Sequence, residues 1–131
     1  MREILFRGKR IDNSGWVYGL VTAIGEKYST IHVVYPKYEM DYRVYTKTVG
    51  QYTELKDKNG EKIFEGDFVT FHTEYEMPDD DVWYEKEPYL VKWDNEIAGF
   101  EPFYLNGRWR CNIVNLKIIG NKWDNPELLE E

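Results

Sequence analysis

The sequence has almost no cysteine and no long apolar run, and each absence excludes a class of protein. Its single cysteine, Cys111, excludes a disulfide framework and any zinc or iron–sulfur site built from several cysteines. No apolar run approaches the ~20 residues of a membrane span, and no signal-peptide core follows Met1. We therefore expect a cytoplasmic protein that makes no contact with membranes.

Signatures of catalysis and of phosphate binding are also missing. The sequence contains no GxGxxG, P-loop, HExxH or GxSxG motif. His32 and His72 lie beside apolar residues on separate predicted strands, and their spacing brings no convergent partner to either ring. The run Asp79-Asp80-Asp81 lacks the spacing of a calcium loop. These observations predict a protein that is not an enzyme and that uses no cofactor and no metal.

Aromatic residues and an uneven charge distribution are what the sequence does have. Among its 131 residues are five Trp, eleven Tyr and six Phe, which excludes a disordered acidic chain. Residues 1–53 hold eight basic and five acidic residues, whereas residues 54–131 hold nine basic and nineteen acidic ones. The asymmetry suggests two units of opposite potential. The alternative is that acidity only keeps a tyrosine-rich surface soluble.

Alternating polar and apolar residues, rich in β-branched and aromatic types, predict strands throughout the chain. The predicted strands are 4–9, 16–24, 28–35, 42–49, 52–55, 63–64, 68–72, 89–93, 100–105, 108–113 and 116–119. The Asn59-Gly60 pair predicts a hairpin turn, and Asn125-Pro126 predicts a short helical turn capped by Asn125. Many short strands with little helix favour a barrel or a sandwich.

Three segments of the chain carry a family resemblance. They are MREILFRG at residues 1–8, TVGQYTELKDKNGEKIFEGDFV at residues 48–69 and IIGNKWDNPELL at residues 118–129. Together they resemble the YopX family of phage and prophage proteins. The resemblance implies a small N-terminal β unit (1–53) followed by an SH3-like barrel domain (54–131), but it brings no catalytic residue. Glu54 departs from the family pattern, in which glycine is common at this position, and this leaves one turn in doubt.

The aromatic content favours a role in protein binding, because Tyr and Trp anchor interfaces. We predict an accessory protein of a phage or prophage, acting as a non-enzymatic binding or scaffolding module that self-associates and contacts an unidentified protein partner. The candidate interaction residues are Trp83, Tyr84, Trp93, Arg7, Lys9 and Arg10. Trp83 and Tyr84 lie in the acidic segment 74–87, which is predicted to be a solvated loop.

An alternative function is that of a nucleic-acid-associated regulator acting through the basic N-terminal unit. Arg7, Lys9 and Arg10 would contact phosphates, and tyrosine rings would stack on bases. The tyrosines available for stacking are Tyr28, Tyr35, Tyr38, Tyr42, Tyr45 and Tyr52. The net charge of −7 argues against this alternative, because nucleic-acid contact would be confined to one face.

Overall fold

A computed structural model describes residues 3–73, 88–105, 108–109 and 113–129 of the chain. Strands dominate these residues, and the helical segments among them are two short 3-10 turns. The prediction of a mostly β fold is therefore confirmed. The chain divides into two compact units, Met1–Glu54 and Leu55–Glu131.

Antiparallel strands form the sheet of the N-terminal unit. They are β1 (Phe6–Lys9), β2 (Trp16–Ile24), β3 (Tyr28–Val34), β4 (Glu39–Tyr45) and β5 (Gly50–Lys56), the last of which runs on into the C-terminal unit. The order across the sheet is β4-β3-β2-β1-β5. Strands β1 to β4 pair as successive hairpins, and β5 returns to pair with β1. The outermost strand on one side is thus β4.

One face of this sheet is buried and apolar. Val17, Ile31 and Val44 come from three different strands and pack together. Gly8 of β1 packs closely against these residues, and a Cβ at this position would lie 2.7 Å from the Cγ2 atom of Val44. A side chain at residue 8 would therefore displace the core of the unit.

The strand predicted at 42–49 differs from the observed strand at both ends. Strand β4 begins earlier, at Glu39, and ends at Tyr45, where a 3-10 turn (Thr46–Thr48) takes over. The Thr48 hydroxyl donates to the Tyr45 carbonyl at 2.6 Å and accepts from the Lys9 N–H at 2.8 Å. These side-chain hydrogen bonds replace strand pairing and so end the strand.

The C-terminal unit contains eight further strands among its described residues. They are β6 (Lys62–Phe64), β7 (Asp67–Thr73), β8 (Tyr89–Leu90), β9 (Lys92–Asp94), β10 (Gly99–Glu101), β11 (Tyr104–Leu105), β12 (Arg108–Trp109) and β13 (Ile113–Asn121). Strands β13, β7 and β8 form one sheet, β9 pairs with β10, and β11 pairs with β12. Strand β6 follows β5 in the sheet order. These sheets are open in the part of the chain that the structure describes.

An apolar cluster lies at the centre of the described part of the C-terminal unit. Its buried members are Ile63, Val69, Phe71, Val91, Phe100 and Phe103. The ring of Phe71 stacks on Tyr89 with 4.7 Å between centroids, and Phe103 lies 6.5 Å from Phe71 on a tilted plane. Aromatic packing of this kind adds to the burial of apolar area that stabilises a small unit.

Strand β13 is longer than the strand predicted at 116–119, because it begins at Ile113 and ends at Asn121. Of the strand predicted at 108–113, Arg108–Trp109 form β12, Ile113 begins β13 and residues 110–112 lie outside the described residues. The pairing of β13 with β7 shifts register between Val114 and Lys117 and again between Ile118 and Gly120. Asn115 lies in the first irregularity with φ of +57°, a conformation that asparagine tolerates, and this irregularity interrupts the alternating pattern that predicts a strand.

Asp57 is the polar centre of the β5–β6 turn. Its buried carboxylate accepts the N–H of Asn59 at 2.9 Å, of Glu61 at 3.0 Å and of Ile118 in β13 at 3.2 Å. Burial by itself raises the pKa of Asp57, but the hydrogen bonds from Ile118, Glu61 and Asn59 outweigh burial and hold the pKa below its usual value. Gly60 completes the predicted Asn-Gly turn with φ of +82°.

A second turn joins β6 to β7 and depends on Gly66 and Asp67. Gly66 has φ of +95°, which glycine adopts without strain. The buried Asp67 carboxylate accepts the Phe64 N–H at 2.8 Å, as expected for an aspartate that satisfies local backbone donors. The Gly66 carbonyl then accepts the Lys122 N–H at 3.0 Å, which connects this turn to the end of β13.

The chain after β13 folds back on itself through Asn121 and Asn125. The Asn121 side chain accepts the N–H of Trp123 at 3.0 Å and of Asp124 at 2.9 Å. Pro126 opens a 3-10 turn (Pro126–Leu129), as predicted. Asn125 directly precedes this turn, and its carbonyl accepts the Leu128 N–H at 3.1 Å. Its side-chain oxygen accepts the N–H of Asn121 at 3.2 Å.

Substitution of Asp57 tests how far the C-terminal unit depends on this turn. The Asp57→Ala variant leaves three backbone N–H groups without their acceptor, so we expect its free energy of unfolding to fall by about 3 kcal/mol. The folded-state pKa of Asp57 is lowered, so its stabilising contribution is present above the ordinary carboxyl pKa and is lost as pH falls through the folded value. Urea unfolding at pH 7 and at acidic pH measures both effects. A loss below ~1 kcal/mol for the alanine variant would contradict the role assigned here.

Glu54 offers a test of backbone strain at the position where the family pattern has glycine. Its φ is +72°, in the left-handed region that costs side-chain-bearing residues about 1–2 kcal/mol. We expect the free energy of unfolding of Glu54→Gly, measured by urea unfolding, to exceed that of Glu54→Ala by about 1 kcal/mol. Both variants remove the carboxylate, so their difference isolates the backbone. Equal stability of the two variants would show that the backbone of β5 at this position carries no such strain.

Candidate interaction surface

The three basic residues predicted to make contacts differ in their exposure. Arg7 is only 6% exposed, and its guanidinium lies 4.6 Å from the centroid of the Trp16 ring. Lys9 is half-buried on the same strand. Arg10 pairs with Asp12 at 2.7 Å. Arg7 and Arg10 are therefore engaged within the N-terminal unit.

The tyrosines of the N-terminal unit pack largely against one another. Tyr52 is buried, and the rings of Tyr35 and Tyr38 stack with 4.6 Å between centroids. The hydroxyls of Tyr35 and Tyr42 lie 2.9 Å apart, and the Arg10 guanidinium covers the Tyr42 ring at 4.7 Å. Rings held in this way are already used for internal packing.

Of the three aromatic residues predicted to make contacts, the structure describes Trp93. It is 44% exposed on β9, its ring meets Phe100 edge-on at 5.1 Å, and its Nε1 donates to Asn95 at 2.6 Å. Trp83 and Tyr84, together with the acidic segment 74–87, lie outside the described residues.

The side of the N-terminal sheet that faces away from its core carries exposed apolar side chains. Tyr18 and Leu20 of β2 and Val34 of β3 are 45%, 50% and 72% exposed. Side chains alternate along a strand, so these residues lie opposite to the face that buries Ile31. His32 lies among them, directly across from Leu20. Tyr18, Leu20, His32 and Val34 are called the outer face below.

His32 lies between two carboxylates that β4 supplies. Its Nδ1 atom is 2.7 Å from Asp41 Oδ1, and its Nε2 atom is 2.7 Å from Glu39 Oε1. The register pairs His32 with Asp41 and Val34 with Glu39, so all of these side chains share the outer face. Both ring nitrogens can donate only when the imidazole is protonated. The arrangement therefore favours an imidazolium held by two acceptors.

The surroundings of His32 shift its pKa in the direction that favours the protonated ring. The hydrogen bond with Asp41 is the largest influence and raises the pKa of His32 above its usual value. Partial burial opposes the rise, and the hydrogen bond with Glu39 reinforces it. The imidazolium of His32 therefore persists to a higher pH than the imidazolium of an ordinary histidine.

A cationic cluster lies at the other end of β4. The Arg43 guanidinium is 5.1 Å from the centroid of the Tyr28 ring, and the Lys27 ammonium is 5.4 Å from the same ring. The Tyr28 and Tyr45 rings meet at 5.9 Å. Strand β4 thus presents an acidic end and a basic end on one side of the sheet.

Sequence reasoning missed the carboxylates beside His32 because it placed Glu39 and Asp41 before the strand. The signal that could have found them is the segment Tyr35-Pro36-Lys37-Tyr38, with proline at the second position of a four-residue turn. The Tyr35 N–H donates to the Tyr38 carbonyl at 2.8 Å and closes that turn. A hairpin closed in this way pairs Asp41 with His32.

Metal-ligating residues do not converge elsewhere in the described ranges. No group of three His, Cys, Asp or Glu residues in them is arranged to hold a metal ion. The carboxylates of Glu39 and Asp41 contact opposite nitrogens of His32 rather than one common point. His72 is exposed on β7, and Cys111 lies outside the described residues. No helix in the described part of the chain is long and apolar enough to cross a membrane.

Comparison with known proteins places the chain in a family. A family model described as YopX protein matches residues 5–130. The chain belongs to the YopX family. The crystal structure of protein EF1440 from Enterococcus faecalis is similar, with a TM-score of 0.52 and 22% sequence identity, over 99% of this chain and 100% of that one. At this identity the likeness concerns the fold alone. No curated protein matches the chain.

The segments by which the YopX resemblance is recognised are used to build turns. Polar side chains in these segments accept hydrogen bonds from backbone N–H groups, as seen for Asp57, Asp67 and Asn121. The outer face comes from residues 18–34, outside the segments 48–69 and 118–129. Family membership therefore accounts for the scaffold, and the surface must be judged from its own chemistry.

Titration of His32 tests the paired carboxylates. We expect its pKa, measured by NMR on the imidazole protons, to lie above the ordinary histidine value and to fall in an Asp41→Asn variant. The folded-state pKa is raised, so the stability that His32 contributes is fully present below its unfolded pKa and is lost as pH rises through the folded value. A His32 pKa at or below the ordinary value would contradict this assignment.

Proposed function

We propose that this YopX-family chain is a non-enzymatic protein-binding module that self-associates through its outer face. We place it as an accessory protein of a phage or prophage, acting in the cytoplasm of the bacterial host. Within this proposal the C-terminal unit is a small SH3-like barrel, an arrangement supported by short strands gathered around one apolar cluster.

The observation that carries the proposal is the exposure of the outer face. Leu20 and Val34 are aliphatic and at least half exposed, and Tyr18 adds an aromatic ring beside them. Contiguous exposed apolar side chains with a charged rim are typical of protein-binding surfaces. Tyrosine is also among the residues that contribute most to binding energy at such surfaces.

The chemistry of the candidate acids supports a role other than catalysis. A groove of about 350 Å³ in the C-terminal unit is lined by the carboxylate of Asp57 and by the apolar side chains of Leu55, Phe103 and Leu116. That carboxylate is already saturated by backbone donors, so it is not available as a general base. On the outer face, each nitrogen of His32 already holds a carboxylate.

The nucleic-acid alternative has less support than protein binding. Arg7 is buried against Trp16, and Arg10 is paired with Asp12, so these residues offer a reduced cationic footprint. Trp93 remains a candidate contact on the C-terminal unit because of its exposure.

A retention experiment tests the role of the outer face. The full chain and a Leu20→Asp variant are immobilised and exposed to host lysate that contains a differently tagged copy of the chain. We expect proteins retained by the wild type to be depleted about tenfold or more on Leu20→Asp, because a charge placed in an apolar contact is left desolvated.

The matched control for this experiment is Ile24→Asp. Ile24 lies on the same strand and is 80% exposed, but it pairs across from Ser29 on the opposite side of the sheet. The control should retain the same proteins as the wild type. Retention that does not change with Leu20→Asp, or that Ile24→Asp reduces equally, would contradict the proposal.

A further inference from the structure

Charge changes sign from one end of the outer side of β4 to the other. Glu39, Asp41 and Arg43 all point to this side, opposite Val34, His32 and Thr30 respectively. Glu39 and Arg43 therefore lie at equal distances, about 7 Å, on either side of Asp41. With His32 protonated, the two carboxylates are balanced by the imidazolium and the guanidinium, and this side of the strand pair is neutral.

A pattern of this kind is self-complementary under one two-fold rotation. The axis lies midway between two facing sheets and parallel to both of them. It runs perpendicular to the strands and passes over Asp41, His32 and Leu20. The rotation reverses the strand direction, so it brings Arg43 of each copy over Glu39 of the other. Residues on the axis meet their own copies, so Leu20 lies over Leu20. Asp41 and His32 likewise lie over Asp41 and His32, where each carboxylate is paired with the protonated imidazole of its own chain. Sheets packed face to face lie about 10 Å apart, a gap that arginine and glutamate side chains span together.

The free edge of β4 is a poorer place for a second copy. The Ile11 N–H already donates to the Arg43 carbonyl at 3.1 Å, and Arg10 forms a β-bridge with Val44. The remaining part of the edge carries Glu39 and Asp41, and acidic side chains oppose strand addition by an identical edge. The exposed apolar area also lies on the face of the sheet and not along this edge.

We propose that a second copy of this chain covers the outer face in a two-fold contact, with Arg43 of each copy paired to Glu39 of the other and with Leu20 against Leu20. The inference rests on the proposed function, because it names the partner of the surface assigned there. Opposite charges at matched positions fix the orientation, and apolar contact at the centre supplies affinity.

Sedimentation of the full chain and two charge-reversed variants tests the contact. In Arg43→Glu, two carboxylates face each other at each end of the dimer, and in Glu39→Arg two guanidinium groups do. We expect each variant alone to dimerise about tenfold more weakly than the wild type. Within one chain the two positions are about 13 Å apart, so neither charge can compensate the other in the same copy.

The decisive measurement is a one-to-one mixture of the two variants. Each copy of the mixed dimer meets an opposite charge at both ends, so dimerisation should recover to within about threefold of the wild type. Lys58→Glu and Glu61→Arg, which change the same charges in the β5–β6 turn, should dimerise like the wild type and gain nothing on mixing. Far-UV circular dichroism of every variant confirms that it is folded.

Several outcomes would overturn the inference. A wild type that sediments as a monomer at 200 µM, single variants that dimerise normally, or a mixture without recovery would each do so. If host proteins still depend on Leu20 while the wild type stays monomeric, the protein-binding role of the outer face stands with a foreign partner, whereas the proposed self-association and this inference both fail. If neither retention nor dimerisation depends on Leu20, both fail.

Discussion

The carboxylate of Asp57 is the constraint on which the C-terminal unit depends. It satisfies two N–H groups of its own turn and one in β13, which lies sixty-one residues further along the chain. The turn that begins the unit and the strand that ends it are thereby fixed to one buried ion. The Lys58 N–H reinforces the link by donating to the Leu116 carbonyl at 2.7 Å. Within this unit, the part of β13 around Ile118 is thereby held where it pairs with Val69 of β7.

Local chemistry explains which parts of the fold were predictable. The Asn59-Gly60 turn and the glycine before Asp67 require conformations that few residues adopt, so the sequence reveals them directly. Strands such as β2 and β7 have β-branched and aromatic residues in alternation, and their position was evident. The limits of β4 and the continuity of β13 depend instead on hydrogen bonds from distant residues, which leave no local pattern.

The candidate surface was harder to predict than the fold for a related reason. The outer face brings together β2, β3 and β4, and its charged rim depends on which residues lie opposite one another. Registry between strands is a property of pairs, whereas composition is a property of single segments. Arg7 and Arg10 were selected from composition, and the structure uses them to cover Trp16 and Tyr42. The residues that composition did not select, Glu39 and Asp41, flank the one histidine of the N-terminal unit.

The hydrogen bond from Ile11 to Arg43 also bears on what happens to this protein at high concentration. An uncovered outer strand can template the addition of further chains into cross-β fibrils. Here the loop before β2 hydrogen-bonds to one part of β4, and the carboxylates of Glu39 and Asp41 lie along the rest of that strand. A strand edge that is partly hydrogen-bonded and partly charged is a poor template for an identical strand, so this fold disfavours growth of fibrils by addition at β4.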